Sequence, residues 1–213
     1  IWETRVGGYG ATLIGIENQP IKRLGQRTES GPDTLAAGTL YPQASRKIAR
    51  ALNAASGRRP VVVLANLSGF DGSPESLRYW QLEYGAEIGR AVVNFDGPSL
   101  FMVLSRYHGG AYVVFSQELN DNMKAVALTG SYASVIGGGP AAAVVFSREV
   151  RAQALDDPRV KDITEKVRRH PTELNREALE SILREVTLEK QASMAIEFDS
   201  IHNVERARDV GSL

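Results

Sequence analysis

The sequence contains no cysteine, and this absence excludes disulfides, thiolate metal sites and a cysteine nucleophile together. Its 25 Lys and Arg residues balance its 25 Asp and Glu residues, so no long-range field favours a nucleic acid or an anionic membrane as partner. No apolar run approaches the roughly 20 residues that a membrane span requires. We therefore expect a soluble, cytoplasmic protein with no nucleic-acid partner and no membrane partner.

Histidine is scarce as well, and its distribution argues against a metal site. His108, His170 and His202 are scattered, with no carboxylate at metal-ligand spacing, so we predict no metal on this chain. The glycine clusters lack the Lys-Ser/Thr pair of a phosphate loop. Neither Ser68 nor Ser105 lies in a Gly-x-Ser-x-Gly elbow. We therefore expect neither nucleotide binding nor serine hydrolysis.

Apolar runs that alternate with helix-like segments are present through the first two thirds of the chain. The runs at 60–65 and 99–104 are typical of strands buried in a parallel sheet, and a helix is predicted from Pro42 to about Ser56. Further strands are predicted at 125–128 and near 134–136. Strands and helices that alternate in this order indicate an α/β fold.

The composition changes after the last predicted strand. Charged residues with periodic Leu, Val and Ile fill the segment from Arg148 to Arg208, which predicts several helices, broken at Pro158 and Pro171. We predict one domain in two parts, a core over 1–147 and a helical packing arm over 148–213. Because the chain has no initiating Met and ends without a clear terminus, we expect a piece of a longer polypeptide.

Two glycines, Gly109 and Gly110, lie where an apolar strand is expected to turn into a helix. Glycine lets the backbone approach a ligand closely, and the first N–H groups of a helix point outward, so such a corner can stabilise a developing negative charge. Gly69 follows the neighbouring strand, and ligands of open α/β sheets bind beyond such strand ends. Alternatively, both are only tight turns. His108 either transfers a proton here or shapes the loop.

A third glycine cluster, Gly137-Gly138-Gly139, precedes a run of small residues at 141–145. Small residues allow two backbones to pack closely, and we favour this interpretation over direct contact with a ligand. The cluster shows no dinucleotide fingerprint and no phosphate-loop signature.

Several spaced segments also occur in a fixed order, namely 5–8, 15–19, 60–72, 84–88, 109–114 and 198–203. In that order they resemble the C-terminal half of the carboxyltransferase component of biotin-dependent acyl-CoA carboxylases, the acetyl-, propionyl- and long-chain acyl-CoA carboxylase family. The resemblance implies a crotonase-like (ClpP/crotonase) α/β fold, a spiral of ββα units with a helical C-terminal segment. It also implies transfer of a carboxyl group from N-carboxybiotin on a carrier domain to the α-carbon of an acyl-CoA.

The same resemblance implies roles for particular residues. Gly110 and Ala111 would donate backbone N–H groups to the ureido oxygen of biotin, in the catalytic role. The biotin contacts would be Gly109, Gly69 and Phe70, and the residues nearest the acyl substrate would be Ser68, Gly137 and Gly138. The biotin anion would then remove the α-proton of the acyl-CoA, so no side-chain base is needed. His108 is left to shape the loop.

The partners follow from the resemblance in the same way. They are the N-terminal carboxyltransferase half, which holds most of the coenzyme A, and the biotin carboxylase and biotin carrier domains. Further copies of the chain would form a dimer or a higher oligomer, since the site lies between halves of different subunits. The isolated half is expected to be inactive.

The chain departs from the family pattern at three positions. Ser68 stands where multidomain eukaryotic acetyl-CoA carboxylases have an arginine, Gly137 where they have an acidic residue, and Val113 where propionyl-type enzymes often have Asp. These differences predict a bacterial single-chain carboxylase with a different, longer acyl substrate. Two alternatives stay open: another crotonase-fold acyl-CoA enzyme, such as a decarboxylase or hydratase, and a non-catalytic assembly module.

Overall fold

The computed structural model describes residues 1–24 and 32–213, and contacts divide the chain into two compact units. The first unit comprises residues 1–135 and 202–213, and the second comprises residues 136–201. The boundary that we placed between residues 147 and 148 separates functional parts and stays a prediction.

All strands of the described residues belong to the first unit. They are β1 (Trp2–Val6), β2 (Tyr9–Gly15), β3 (Ile21–Lys22), β4 (Thr34–Leu35), β5 (Thr39–Leu40), β6 (Val61–Leu67), β7 (Gly69–Phe70), β8 (Ser99–His108), β9 (Met123–Ala127) and β10 (Tyr132–Ser134). The main sheet has the order β1-β2-β6-β8-β10, with β9 also paired to β8. Apart from the antiparallel β1–β2 hairpin, its pairs are parallel.

The helices are α1 (Pro42–Ala55), α2 (Pro74–Arg78), α3 (Gln81–Val93), α4 (Gly110–Val114), α5 (Gly138–Pro140), α6 (Ser147–Asp156), α7 (Pro158–Arg169), α8 (Glu173–Ile201) and α9 (Val204–Asp209). A 3₁₀ turn covers Gln117–Leu119, and a π-helical turn covers Ala141–Val145. None of these helices, within the two described ranges, is long and apolar enough to cross a membrane.

The core of the first unit lies between the main sheet and the helices α1 and α3. Alternate residues of β6, from Val61 to Leu67, are buried, and α1 and α3 bury apolar residues such as Leu52 and Ile88. The ring centroid of Phe101 lies 4.7 Å from that of Tyr107 and 5.1 Å from that of Phe115. This packing fixes the ends of β6 and β8, where the site lies.

Strand β8 is longer than the sequence predicts. The expected strand stops at residue 104, but β8 runs to His108 because residues 106–108 pair in parallel with β10. The pairing with β6 shifts its register between Ala65 and Leu67, and it resumes with Leu67 opposite Tyr107. The segment 105–108, which follows the predicted strand, therefore belongs to β8 and leads directly into the glycine pair.

The second unit is entirely helical. Its small core contains Ala154, Val160 and Val186, and the rings of Phe146 and Phe198 lie 6.0 Å apart. The predicted helix breaks at the two prolines are confirmed, because α7 begins at Pro158 and α8 begins two residues after Pro171.

Candidate functional site

The glycine corner forms where β8 ends and α4 begins. Gly109, with φ 69° and ψ −150°, is the cap residue of α4, and only glycine adopts this conformation readily. The N–H of Tyr112 donates to the carbonyl oxygen of Gly109 at 3.0 Å. The N–H groups of Gly110 and Ala111 are the first two of the helix and have no carbonyl acceptor within it. Gly110 is partly exposed and Ala111 is completely buried.

The backbone that follows β6 meets this corner. A Cβ placed on Gly109 would lie 3.0 Å from the Cα of Gly69, and one placed on Gly69 would lie 3.5 Å from the Cα of Gly109. Gly69 itself has a φ of 123°, which strains any other residue. The structure therefore brings together two of the glycines that the sequence analysis singled out, and their contact is backbone on backbone.

The ring of Phe70 forms one side of the corner. A Cβ on Gly110 would lie 2.5 Å from Cδ2 of Phe70, and a Cβ on Gly85 would lie 3.1 Å from Cε2 of the same ring. The ring therefore lies between the glycines of α3 and α4, in space that any side chain at either position would occupy. Gly85 lies in a segment that carries the family resemblance, but its contact with Phe70 was not predicted.

Sequence reasoning missed a short strand that supports the corner. Residues 22–41 contain Gly, Pro, Asp and Ser without periodicity, which predicts a loop. Residues 25–31 lie outside the described residues, but β5 pairs in parallel with β7. The N–H of Ser68 donates to the carbonyl oxygen of Gly38 at 2.8 Å, and the N–H of Asp71 donates to that of Leu40 at 3.0 Å. A Cβ on Gly38 would lie 2.7 Å from the carbonyl oxygen of Asn66. These contacts fix the backbone that carries Ser68, Gly69 and Phe70.

Two buried side chains lie behind the corner. His108 is only 3% exposed. Burial, and secondly the charge of Tyr112, raise the pKa of the Tyr107 phenol far above its ordinary value. That neutral hydroxyl donates to the carbonyl oxygen of Tyr112 at 3.1 Å. Tyr107 therefore ties β8 to α4 and holds the corner in shape, and it remains protonated across the physiological pH range.

Gly137 and Gly138 lie in the second unit. The N–H of Gly138 donates to Oδ1 of Asp199 at 2.7 Å, and a Cβ at this position would collide with the carbonyl oxygen of Ala195. The absence of a side chain thus lets α5 pack directly on α8, which supports the packing interpretation of this cluster. That Gly137 and Gly138 lie near the acyl substrate stays a prediction.

Among the described residues, no three His, Asp or Glu side chains are grouped so that they would hold a metal ion. The polar groups at the corner are backbone amides, and the half-buried Asn66 lies near the end of β6. Its Oδ1 accepts no hydrogen bond from any described residue, and sequence reasoning did not single it out. The arrangement suits a ligand that needs fixed N–H donors for an oxygen.

The chain is similar in sequence to proteins of one known family. The profile of a family described as "Carboxyl transferase domain" matches residues 4–210. The acetyl-CoA carboxylase of Schizosaccharomyces pombe is 28% identical over 160 residues, which make up 70% of this chain and 7% of that protein. That of Saccharomyces cerevisiae is 26% identical over 162 residues, with the same shares. The chain therefore spans only a small part of the curated relatives that it matches.

Solved structures of similar fold include the beta subunit of P. aeruginosa geranyl-CoA carboxylase, with a TM-score of 0.59 and 20% identity, over 93% of this chain and 29% of that one. Transcarboxylase 12S, described as a hexamer assembly, has a TM-score of 0.54 and 21% sequence identity. The match covers 82% of this chain and 28% of that one. At these identities the likeness establishes the fold alone. The predicted crotonase-like α/β fold is confirmed.

Proposed function

Because the chain belongs to the carboxyl transferase domain family, we propose that it carries the biotin side of an active site that transfers a carboxyl group from N-carboxybiotin to the α-carbon of an acyl-CoA. The observation that carries the proposal is the glycine corner. There the backbones of Gly69 and Gly109 touch, and the first two N–H groups of α4 lie beside them. Because the family profile matches residues 4–210, we assign these donors to a carboxyl transfer reaction.

When bound, carboxybiotin would supply the carboxyl group, and negative charge would develop on its ureido oxygen. The N–H groups of Gly110 and Ala111 would hold that oxygen by donating hydrogen bonds to it. Fixed backbone donors suit this task because they do not titrate and need no reorganisation when the charge develops. Gly110 is partly exposed, so its N–H would donate at the surface of the corner. Ala111 is buried, so its N–H would donate only to an oxygen that enters the corner.

The remaining residues of the corner shape the space for the ligand. Gly69 and Gly109 have no Cβ, so neither residue places a side-chain atom between their two backbones. Phe70 supplies a half-buried apolar wall, and Ser68 is the nearest small polar side chain in the same loop. His108, buried at the end of β8, orients the turn.

The acyl-CoA must come from outside this chain. We assign it to the N-terminal carboxyltransferase half, with the biotin carboxylase and carrier domains as further partners, so the isolated chain transfers no carboxyl group. A dimer or higher oligomer is assigned on the same ground, and the hexamer described for transcarboxylase 12S agrees with it. Ser68, Gly137 and Val113, which depart from the family pattern, would admit a longer acyl group. Cytoplasmic location stays a prediction.

The test must remove one N–H donor without introducing a clash. Proline suits position 110 because the first helical residue donates no helix hydrogen bond. However, any Cβ there would strike Phe70. The test therefore uses a Phe70→Ala background in the complete enzyme and compares Gly110→Ala, which keeps the N–H, with Gly110→Pro, which removes it.

We expect kcat of the proline variant to fall about 10²–10³-fold below that of the alanine variant, the usual effect of losing one oxyanion donor. Circular dichroism and gel filtration show whether both variants fold and assemble equally. Equal carboxyl transfer by two equally assembled variants would overturn the assignment and favour the non-catalytic assembly module.

A further inference from the structure

A groove of about 880 Å³ lies in the first unit, between the outer face of α1 and the start of α3. None of its lining residues belongs to the glycine corner. The residues of α1 in its wall run from Pro42 to Ala54, a stripe about 18 Å long at about 1.5 Å per residue. An extended peptide covers that length with about five residues. The groove is therefore long enough for a segment of protein chain.

One wall of the groove is positively charged. Arg46, Lys47 and Arg50 are exposed and form no ion pair with any residue of the described ranges. No Asp or Glu lines the groove. Since the whole chain carries no net charge, this is a local excess of cations. The guanidinium carbon of Arg46 lies 5.6 Å from the ring centroid of Tyr84, at the foot of the wall.

The opposite wall is aromatic. Tyr79 is 52% exposed and Trp80 is 60% exposed. Trp80 has a φ of 69°, and it is the only non-glycine residue with positive φ among those that the structure describes. Such backbone conformations persist where the surrounding structure enforces them, and they cluster at functional sites. The next residue is anchored to α1, because Nε2 of the buried Gln81 donates to Oγ of Ser45 at 3.0 Å.

We propose that this groove docks a protein partner through a segment whose acidic side chains pair with Arg46, Lys47 and Arg50 and whose apolar or aromatic anchor packs on Trp80. Charge complementarity selects the acidic residues, and Trp, Tyr and Arg are the residue types that dominate the binding energy of protein interfaces. The exposed length of the groove suits a chain segment better than a small molecule, which prefers to be enclosed. The docking is independent of carboxyl transfer.

The experiment uses the 213-residue chain and a phage-displayed library of random peptides. Peptides are selected on the unmodified chain and counter-selected on the variant Arg46→Glu/Lys47→Glu/Arg50→Glu. The matched control is Lys124→Glu/Arg148→Glu/Arg151→Glu, which reverses three exposed cations elsewhere. A second variant, Trp80→Ala, removes the anchor site without changing the charge. Circular dichroism compares the folding of all four proteins.

Enriched peptides should be acidic around an apolar or aromatic centre. Their affinity should fall at least about tenfold in the groove charge reversal, as expected for three exposed ion pairs. The affinity of the peptides should also fall in Trp80→Ala and should stay unchanged in the control variant. Added salt should weaken their binding to the unmodified chain. Neutral or basic consensus peptides, or equal binding to the groove reversal and the control, would overturn the proposal. Displacement of the peptides by ATP but not by inorganic phosphate would overturn it in favour of a nucleotide site.

Discussion

The ring of Phe70 lies so close to Gly110 that a Cβ at position 110 would stand 2.5 Å from Cδ2 of that ring. Real Cβ atoms do not approach a carbon so closely, so the ring of Phe70 fills the space that a side chain at position 110 would need. The contact links the loop after β6 to the first turn of α4. Glycine at position 110 is therefore required by packing as well as by any ligand.

Gly110→Ala is expected to lower the free energy of unfolding by about 1–3 kcal/mol, the usual effect of overpacking. Urea denaturation followed by circular dichroism measures it. Gly72→Ala is the matched control, because a Cβ there would meet no atom within 4 Å. It should change stability by less than about 0.5 kcal/mol.

Replacing the ring of Phe70 with a smaller side chain should relieve the same clash. In Phe70→Leu/Gly110→Ala the two changes are expected to be non-additive by about 1 kcal/mol in the stabilising direction, as residues in contact usually are. The double-mutant cycle requires the two single variants, measured under identical conditions. Additive changes would show that the ring does not limit residue 110.

Trp80 provides a test of backbone strain. Because its φ is 69°, Trp80→Gly should be more stable than Trp80→Ala by about 1 kcal/mol, since glycine alone adopts this region without penalty. Leu82, 71% exposed in α3, is the control position, where Gly should be less stable than Ala by about 0.5–1 kcal/mol. If the Ala and Gly variants had the same order of stability at both positions, the backbone at Trp80 would not be strained.

Local patterns in the sequence were sufficient to predict most of the fold. The apolar run 60–65 and the helix from Pro42 were recognisable because burial on both strand faces and proline at a helix start leave clear marks. Pro158 and Pro171 marked the helix breaks for the same reason. Such signals involve neighbours along the chain.

Features that depend on pairing between distant segments were not predictable in this way. Strand β5 is only two residues long, and its partner lies about thirty residues further on, so no periodicity reveals it. The extension of β8 to His108 likewise depends on β10. At the site, Gly69 and Gly109 could be named from the sequence, but the contact of Phe70 with Gly85 and Gly110 arises only when the chain folds.

Asp157 predicts a pH dependence of stability. A hydrogen bond from the Arg159 side chain is the largest cause that lowers the pKa of this carboxyl from 3.8 to about 2. Because the pKa is lowered in the folded state, the stabilisation is present above pH 3.8 and is lost as the pH falls to about 2. Asp157→Asn keeps an acceptor for the N–H of Arg159 but does not titrate.

The urea midpoint of the unmodified protein should therefore exceed that of Asp157→Asn at pH 7, and the difference should shrink as the pH falls from 3.8 through about 2. Comparing the two proteins cancels the titration of all other carboxyls. In Arg159→Gln the stability should likewise depend less on pH, because the substitution removes the main hydrogen-bond donor to the carboxylate of Asp157. A difference between the proteins that does not change with pH would contradict the assigned cause.

Neighbouring glycines in the second unit give a last, matched comparison. A Cβ on Gly138 would collide with the carbonyl oxygen of Ala195, which belongs to the backbone of α8 and moves only with the helix, whereas a Cβ on Gly139 would meet no atom within 4 Å. Gly138→Ala should therefore lower the free energy of unfolding by about 1–3 kcal/mol. Gly139→Ala should leave it within about 0.5 kcal/mol. Urea denaturation of both variants measures the difference, and equal stabilities would show that α5 and α8 do not pack so closely in solution.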